Sequence, residues 1–439
     1  MPQKGEQNFI KEKIKDKPLN KKKLFHKGIA TIGYAILFGF VSCLVFCGLK
    51  PMMESWFEPK DDPHIEIPKD TLAEDSTAED TGIDDIRPTS TDEPDSPQAG
   101  KEQEQQTVYV TEKKDMTLED YQVLYNQLYR IGNSANKSIV TVTGVIEGTD
   151  IFDSPYEAAG QASGLIIGDN GKELLILTEY QTIANVKSIR VTFINNDTLE
   201  AELKKYDGNT GIAVLSVPVE KITKATMDKI EIAVLGNSLS LRQGKLVVAL
   251  GSPLGTNYSI LVGNITSVAN TITTEDRNYT VFTTNIVANA QGNGVLINTD
   301  GEVIGLFLQS SSILKEQNTL TAVSISELKD IIEMLSNGHN IPYIGIKGST
   351  VTDAISQEYE IPKGVYIKEA VMNSPAMNAG LQNGDVIVAM DGKKILTIED
   401  YQQQLLTRKK GDEVKITVNR QGTEEYKKYT CKVEVGVLK

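Results

Sequence analysis

Apolar and polar positions divide this chain into stretches of different period. Residues 28–49 form an unbroken uncharged apolar run. At 1.5 Å rise per residue, about 22 residues reach roughly 33 Å, enough to cross a bilayer's hydrocarbon core. A cleaved signal peptide would have a shorter apolar core ending in small residues. This run leads instead into Lys50, Pro51, Met52 and Met53, which favours an uncleaved anchor. Hydrophobic period then vanishes: Asp, Glu, Thr, Ser and Pro dominate from 58 onward, and the stretch 50–116 is expected to be a disordered linker. A flexible coil of this length has an end-to-end distance of about 40–50 Å. Order resumes at Thr117, with Asp120 at capping-box spacing. Tyr121, Leu124, Tyr125, Leu128 and Tyr129 then share one helical face. That face packs either on its own domain or against another subunit. From 138 to 323 the pattern becomes short β-type runs, punctuated by turns at Asp169-Asn170-Gly171, Asp207-Gly208-Asn209 and Asp300-Gly301. Regularly spaced short strands predict an all-β barrel or sandwich. A helix over 325–335 closes this region, stopped by Asn337-Gly338.

Charge adds direction. The 439-residue chain carries a net charge of -14, which argues against a nucleic-acid partner. Segment 1–27 is Lys-rich, and the stretch after the apolar run is acidic. The positive-inside rule therefore places 1–27 in the cytoplasm, one helix over 28–49 in the cell membrane, and everything after Lys50 outside the cytoplasm. Of the three cysteines, Cys43 and Cys47 lie in the apolar run and Cys431 near the C-terminus, so no disulfide framework is expected. The scattered histidines, the absence of Cys-x-x-Cys and the absence of a Gly-rich phosphate loop predict no metal site and no cofactor.

Five blocks, in order, carry a resemblance. They are ASGLII at 162–167, LTEYQTI at 177–183, YD at 206–207 with TGIAVL at 210–215, LRQG at 241–244 with VVALGSPLG at 247–255, and AQGNGVLINTDGEVIG at 290–305. Together they resemble the HtrA/DegP family of trypsin-like serine proteases. Segment 340–439 is similar to the PDZ domain that follows such a protease: YIGI at 343–346, GVYI at 364–367, AGL at 379–381 and NGDVIVAMDG at 383–392 stand in that family's order. The resemblance implies a mainly β architecture, a chymotrypsin-like double β-barrel over 117–337 followed by the PDZ domain. It also implies a homo-oligomer, in the family a trimer. In the PDZ domain it implies that Tyr343, Ile344, Gly345 and Ile346 hold a peptide's C-terminal carboxylate through backbone N–H groups, with Ile344 and Ile346 lining an apolar pocket.

The family's catalytic positions fall here on other residues. The general base falls on Gln181, its orienting acid on Gly211 and the nucleophile on Gly292. No histidine stands between His64 and His339. Removing such a triad costs on the order of 10⁶ in turnover, or about 8 kcal/mol of transition-state stabilisation. The sequence reading is therefore a pseudoprotease, not an enzyme. It would be membrane-anchored and bind unfolded proteins or exposed peptide ends in envelope quality control or signalling. Two alternatives stay open: an active endopeptidase with an unrecognised site, and an oligomeric envelope scaffold without a peptide ligand.

Overall fold

The computed structural model describes residues 64–71, 116–149, 155–289, 291–308, 319–423 and 425–438, with a few helical positions between 33 and 42. The anchor expected over 28–49 lies almost entirely outside the described residues. Among those described, no helix is long and apolar enough to cross a membrane.

Two closed barrels follow the first helix, α1 (Leu118–Ala135). The first is built from β1 (Ile139–Thr149), β2 (Pro155–Asp169), β3 (Glu173–Glu179), β4 (Ser188–Thr192), β5 (Thr198–Tyr206) and β6 (Ile212–Pro218), in spatial order 1-2-3-6-5-4. The second uses β7 (Leu246–Ser252), β8 (Ser259–Thr273), β9 (Asn278–Val287), β10 (Asn293–Ile297), β11 (Val303–Phe307) and β12 (Thr319–Ser324), in order 10-11-12-9-8-7.

Several strands show no polar alternation because both of their faces are buried. Strand β3 is buried at every residue after Glu173. The period of 2 survives as a sorting between two cores. Leu174 and Ile176 point into the first barrel, with Val140, Val142, Ala213 and Leu215. Leu175 and Leu177 face a core shared between the barrels, with Ile212, Val214, Leu250, Val295 and Ile297. Helix α2 (Ile325–Ser336) contributes Ile325, Leu328, Ile331, Ile332 and Leu335 to that shared core.

The capping box that opens α1 is formed. Asp120 N donates to Thr117 Oγ1 at 3.2 Å, and Thr117 N donates to Asp120 Oδ2 at 3.0 Å. Only Leu128 and Gly132 of this helix are buried. A Cβ at Gly132 would come within 2.8 Å of Ile260, so the C-terminal half docks closely on β8. Tyr121, Val123 and Leu124 remain exposed; the Tyr121 and Tyr125 rings stack, and the Tyr129 ring packs against Tyr125 tilted by 52°.

The linker expectation over 50–116 is corrected at residues 64–71, which form a strap packed on the barrels; the rest of the linker lies outside the described residues. Ile65 exchanges two hydrogen bonds with the Asn337 side chain, both at 2.8 Å. Ile67 N donates to Glu333 Oε2 at 2.9 Å, and the Ile67 side chain enters the shared core. Asp70 accepts from Lys329 Nζ at 2.7 Å and from Ser326 Oγ at 2.6 Å. Average composition hid this docking, because two isoleucines at i and i+2 are enough to give an extended segment one apolar side. Lys329 is buried, so Lys329→Met should strand Asp70. Because Asp70 can return to water if the strap lifts, the expected cost is about 2 kcal/mol, the range of a charge-assisted hydrogen bond. Limited proteolysis should then cut within 64–71, a site protected in the wild type.

The PDZ domain has its own core of Ile344, Ile346, Val365, Ile367, Ile387, Met390, Tyr401, Val414, Ile416 and Val418. Its strands are β13 (Pro342–Tyr343), β14 (Ile346–Thr350), β15 (Val365–Ala370), β16 (Val386–Met390), β17 (Lys393–Lys394), β18 (Glu413–Gln421), β19 (Tyr426–Glu434) and β20 (Gly436–Val437). The main sheet runs 14-15-16-18-19, so β14 is an edge strand. Helix α3 (Ile398–Leu406) opens with a capping box between Thr397 and Asp400. Both barrels and the PDZ domain belong to one compact unit, Pro63–Lys439.

Candidate functional site

The segments holding the three family positions sit around the barrels' facing edges. Gln181 is exposed on the short helix Tyr180–Ile183 that ends β3. Gly211 closes the turn before β6 with φ +79°, and its carbonyl accepts from Tyr180 N at 2.7 Å. This bond ties the first two positions together. The turn is held by Asp207, whose carboxylate accepts from Thr210 Oγ1 at 2.6 Å and from Asn209 N at 3.0 Å. Burial pushes the Asp207 carboxyl above the usual range, against the pull of the Thr210 hydroxyl. Gly292 is buried before β10, and its N–H donates to Asn289 O at 2.8 Å. A Cβ there would stand 2.4 Å from Pro253 O, so the chain passes too close for a side chain.

A cleft of about 340 Å³ opens beside these segments, lined among others by Gln161, Gln181, Ser252, Asn257 and Gln291. Its lining is hydroxyl and amide rather than charged. Asn257 Nδ2 donates to Thr141 Oγ1 at 2.7 Å, and Asn257 Oδ1 accepts from Ser163 Oγ at 2.7 Å. Such a lining can hold an extended backbone by hydrogen bonds.

Two polar residues escaped the sequence reading. Buried Asn293 accepts from Ser163 N at 3.0 Å and donates to Glu179 Oε2 at 3.3 Å. It braces β10 of the second barrel to β2 and β3 of the first. The only local signal was a Thr178-Glu179 pair ending an otherwise apolar strand.

At the PDZ domain the loop 343–346 is built as a carboxylate receptor, and it is full. Ile344 N and Gly345 N each donate to Asp276 Oδ2 at 2.7 Å, and Ile346 N donates to Oδ1 at 3.1 Å. The Tyr401 hydroxyl, on α3, donates to Oδ1 at 2.6 Å. Gly345 has φ +90°, and a Cβ there would meet Ser374 at 2.3 Å, so only glycine lets the backbone turn its N–H groups inward. Asp276 comes from the β8–β9 turn and is fully buried. Burial lifts its carboxyl above the ordinary range, while Tyr401 and the three N–H groups pull it down. Ile344 and Ile346 are wholly inside the PDZ core, so the expectation that they line an open apolar pocket is corrected. Tyr343 is half-buried on β13. Among the described residues, no group of three or more His, Cys, Asp or Glu side chains could hold a metal.

The trypsin-like peptidase domain family matches residues 162–306, and the PDZ domain family matches residues 342–433. The serine protease Do-like HtrA of Lactobacillus helveticus is 31% identical over 284 residues, 61% of this chain and 67% of the relative. The chain belongs to the HtrA family of serine proteases. The serine protease Do-like HtrA of Bacillus subtilis (strain 168) is 30% identical over 302 residues, 64% of this chain and 66% of the relative. The chain thus spans about two thirds of the length of these HtrA relatives. A solved structure of the HtrA-type protease AlgW with a decapeptide aligns at TM-score 0.50 with 18% identity, covering 71% of this chain and 98% of that one, and shares the fold. These relatives correct the expectation that the chain is not an enzyme. They are named serine proteases, and membership of a proteolytic family outweighs an inference from single positions.

Proposed function

We propose that this HtrA-family protein engages exposed polypeptide in the cell envelope, taking chain ends at the PDZ domain and extended segments in the cleft between the barrels. The observation that carries the reading is the loop 343–346, whose three successive N–H groups converge on one carboxylate at 2.7–3.1 Å. A peptide's C-terminus offers the same group, and the edge strand β14 offers a backbone to extend along. The apolar run over 28–49 would anchor the protein by one helix with its globular domains outside the cytoplasm, and the face of α1 exposed at Tyr121 and Leu124 would meet other copies in a homo-oligomer.

The test uses residues 340–439, which carry a core of their own. A decapeptide ending in a free apolar residue should bind at least tenfold more tightly than its C-terminal amide, because the amide loses the charge that the loop collects. Equal binding would sink the reading. Turnover, the family's chemistry, is followed with a labelled unfolded substrate and the full chain. Loss of cleavage on Ser252→Ala, whose residue lines the same cleft as Gln181, would assign it to that cleft.

A further inference from the structure

We propose that Asp276 is an internal pseudo-ligand. Its carboxylate fills the carboxylate-binding loop, so an incoming peptide end must displace the β8–β9 turn before it can bind. The inference rests on the peptide-binding reading above, and it adds a competitor that belongs to the same chain.

Three contacts show that the turn imitates a bound peptide. The carboxylate takes all three loop N–H groups, 344 to 346. Asp276 N donates back to Ile346 O at 2.6 Å, and Asn278 Nδ2 donates to Gly348 O at 3.2 Å, two residues further along the edge strand β14. The turn thus lies beside β14 and makes one backbone bond, Asp276 N to Ile346 O, of the kind an added strand makes. Tyr401, on α3, closes over the same carboxylate. Asp276 itself is held at φ +59°, a left-handed conformation that an aspartate occupies at a cost.

The exchange is chemically even-handed. A peptide carboxylate would be desolvated to the same degree and would accept from the same three backbone N–H groups, whereas the Tyr401 hydroxyl is a fourth donor held by Asp276. The difference between the two states is then set by concentration and by side-chain contacts. A tethered group acts at an effective concentration of about millimolar or above, and it lowers a peptide's apparent affinity by the fraction of loops left open.

The experiment compares the full chain with Asp276→Asn, using a fluorescent decapeptide that ends in a free valine. The amide removes the charge and presents N–H groups to donors. Binding should tighten at least tenfold, and hydrogen exchange of the amides at 344–346, measured without peptide, should quicken at least tenfold. Tyr401→Phe keeps the carboxylate and its three backbone donors while removing the hydroxyl, and should give a smaller gain of about two- to fivefold. It serves where Asp276→Asn fails to fold. Unchanged exchange and unchanged affinity in both variants would overturn the pseudo-ligand. If residues 340–439 alone show no preference for the free acid, the peptide-binding reading falls instead, and the plug stands or falls on the exchange data.

Discussion

Arg420→Ala should destabilise the PDZ domain by about 3–5 kcal/mol, the usual cost of leaving a buried charge without its partner. Arg420 on β18 grips Asp385 with a two-pronged contact, Nε to Oδ1 at 2.6 Å and a terminal guanidinium nitrogen to Oδ2 at 2.7 Å. Asp385 is fully buried just before β16, and its Oδ2 also accepts from Gln382 N at 2.9 Å. Removing the guanidinium leaves that carboxylate with one backbone donor. The same arginine also bonds Gly380 O at 2.8 Å and lies over the Tyr429 ring at 5.2 Å, so the truncation loosens the 380–385 turn and one face of β19. Because Arg420 is partly exposed, water will reach the gap, and the low end of the range is expected. Arg420→Lys cannot reproduce the planar fork and should recover only part of the loss. Urea unfolding of residues 340–439 measures both. A shift below about 1 kcal/mol for the alanine variant would show that the buried carboxylate finds another partner.

Gly294→Ala should cost about 3–5 kcal/mol in the second barrel, combining overpacking with a forbidden backbone conformation. Gly294 sits in β10 with φ +148°, and an added Cβ would lie 2.1 Å from Leu250 O on the paired strand β7 and 2.9 Å from the Phe307 ring. Neither neighbour is free to move: the carbonyl belongs to the barrel ladder and Phe307 to the second barrel's core. Gly171→Ala is the control. Its φ is +82°, but nothing stands within 4 Å, so it should lose only about 1–2 kcal/mol. Thermal unfolding of residues 63–439 separates the two. Equal losses would show that conformation alone, and not close strand approach, demands glycine at 294.

The elements with strong local signals were legible. The helix over 325–335 and the Thr117 capping box are found where period and capping residues place them. The five blocks of the peptidase domain and the YIGI loop are likewise found in their expected order. The site was legible in part. Gln181, Gly211 and Gly292 were assigned by their flanks, and the structure sets their segments beside one cleft. Asn293 and Glu179 escaped because a polar residue at a strand end is common, and only the partner across the barrel gap gives it a purpose.

By itself the sequence determined the strand and helix periods, the turns that need glycine or asparagine, the order of the domains and the sign of the charge on each stretch. All of these follow from neighbours a few residues apart. Only the tertiary structure decided which groups meet across long separations. It brought Ile65 and Ile67 out of an acidic stretch onto α2, and it set Asp276 among the N–H groups of 344–346. A buried carboxylate needs several donors at once, and only the packing of the PDZ domain on the β8–β9 turn brings them to Asp276.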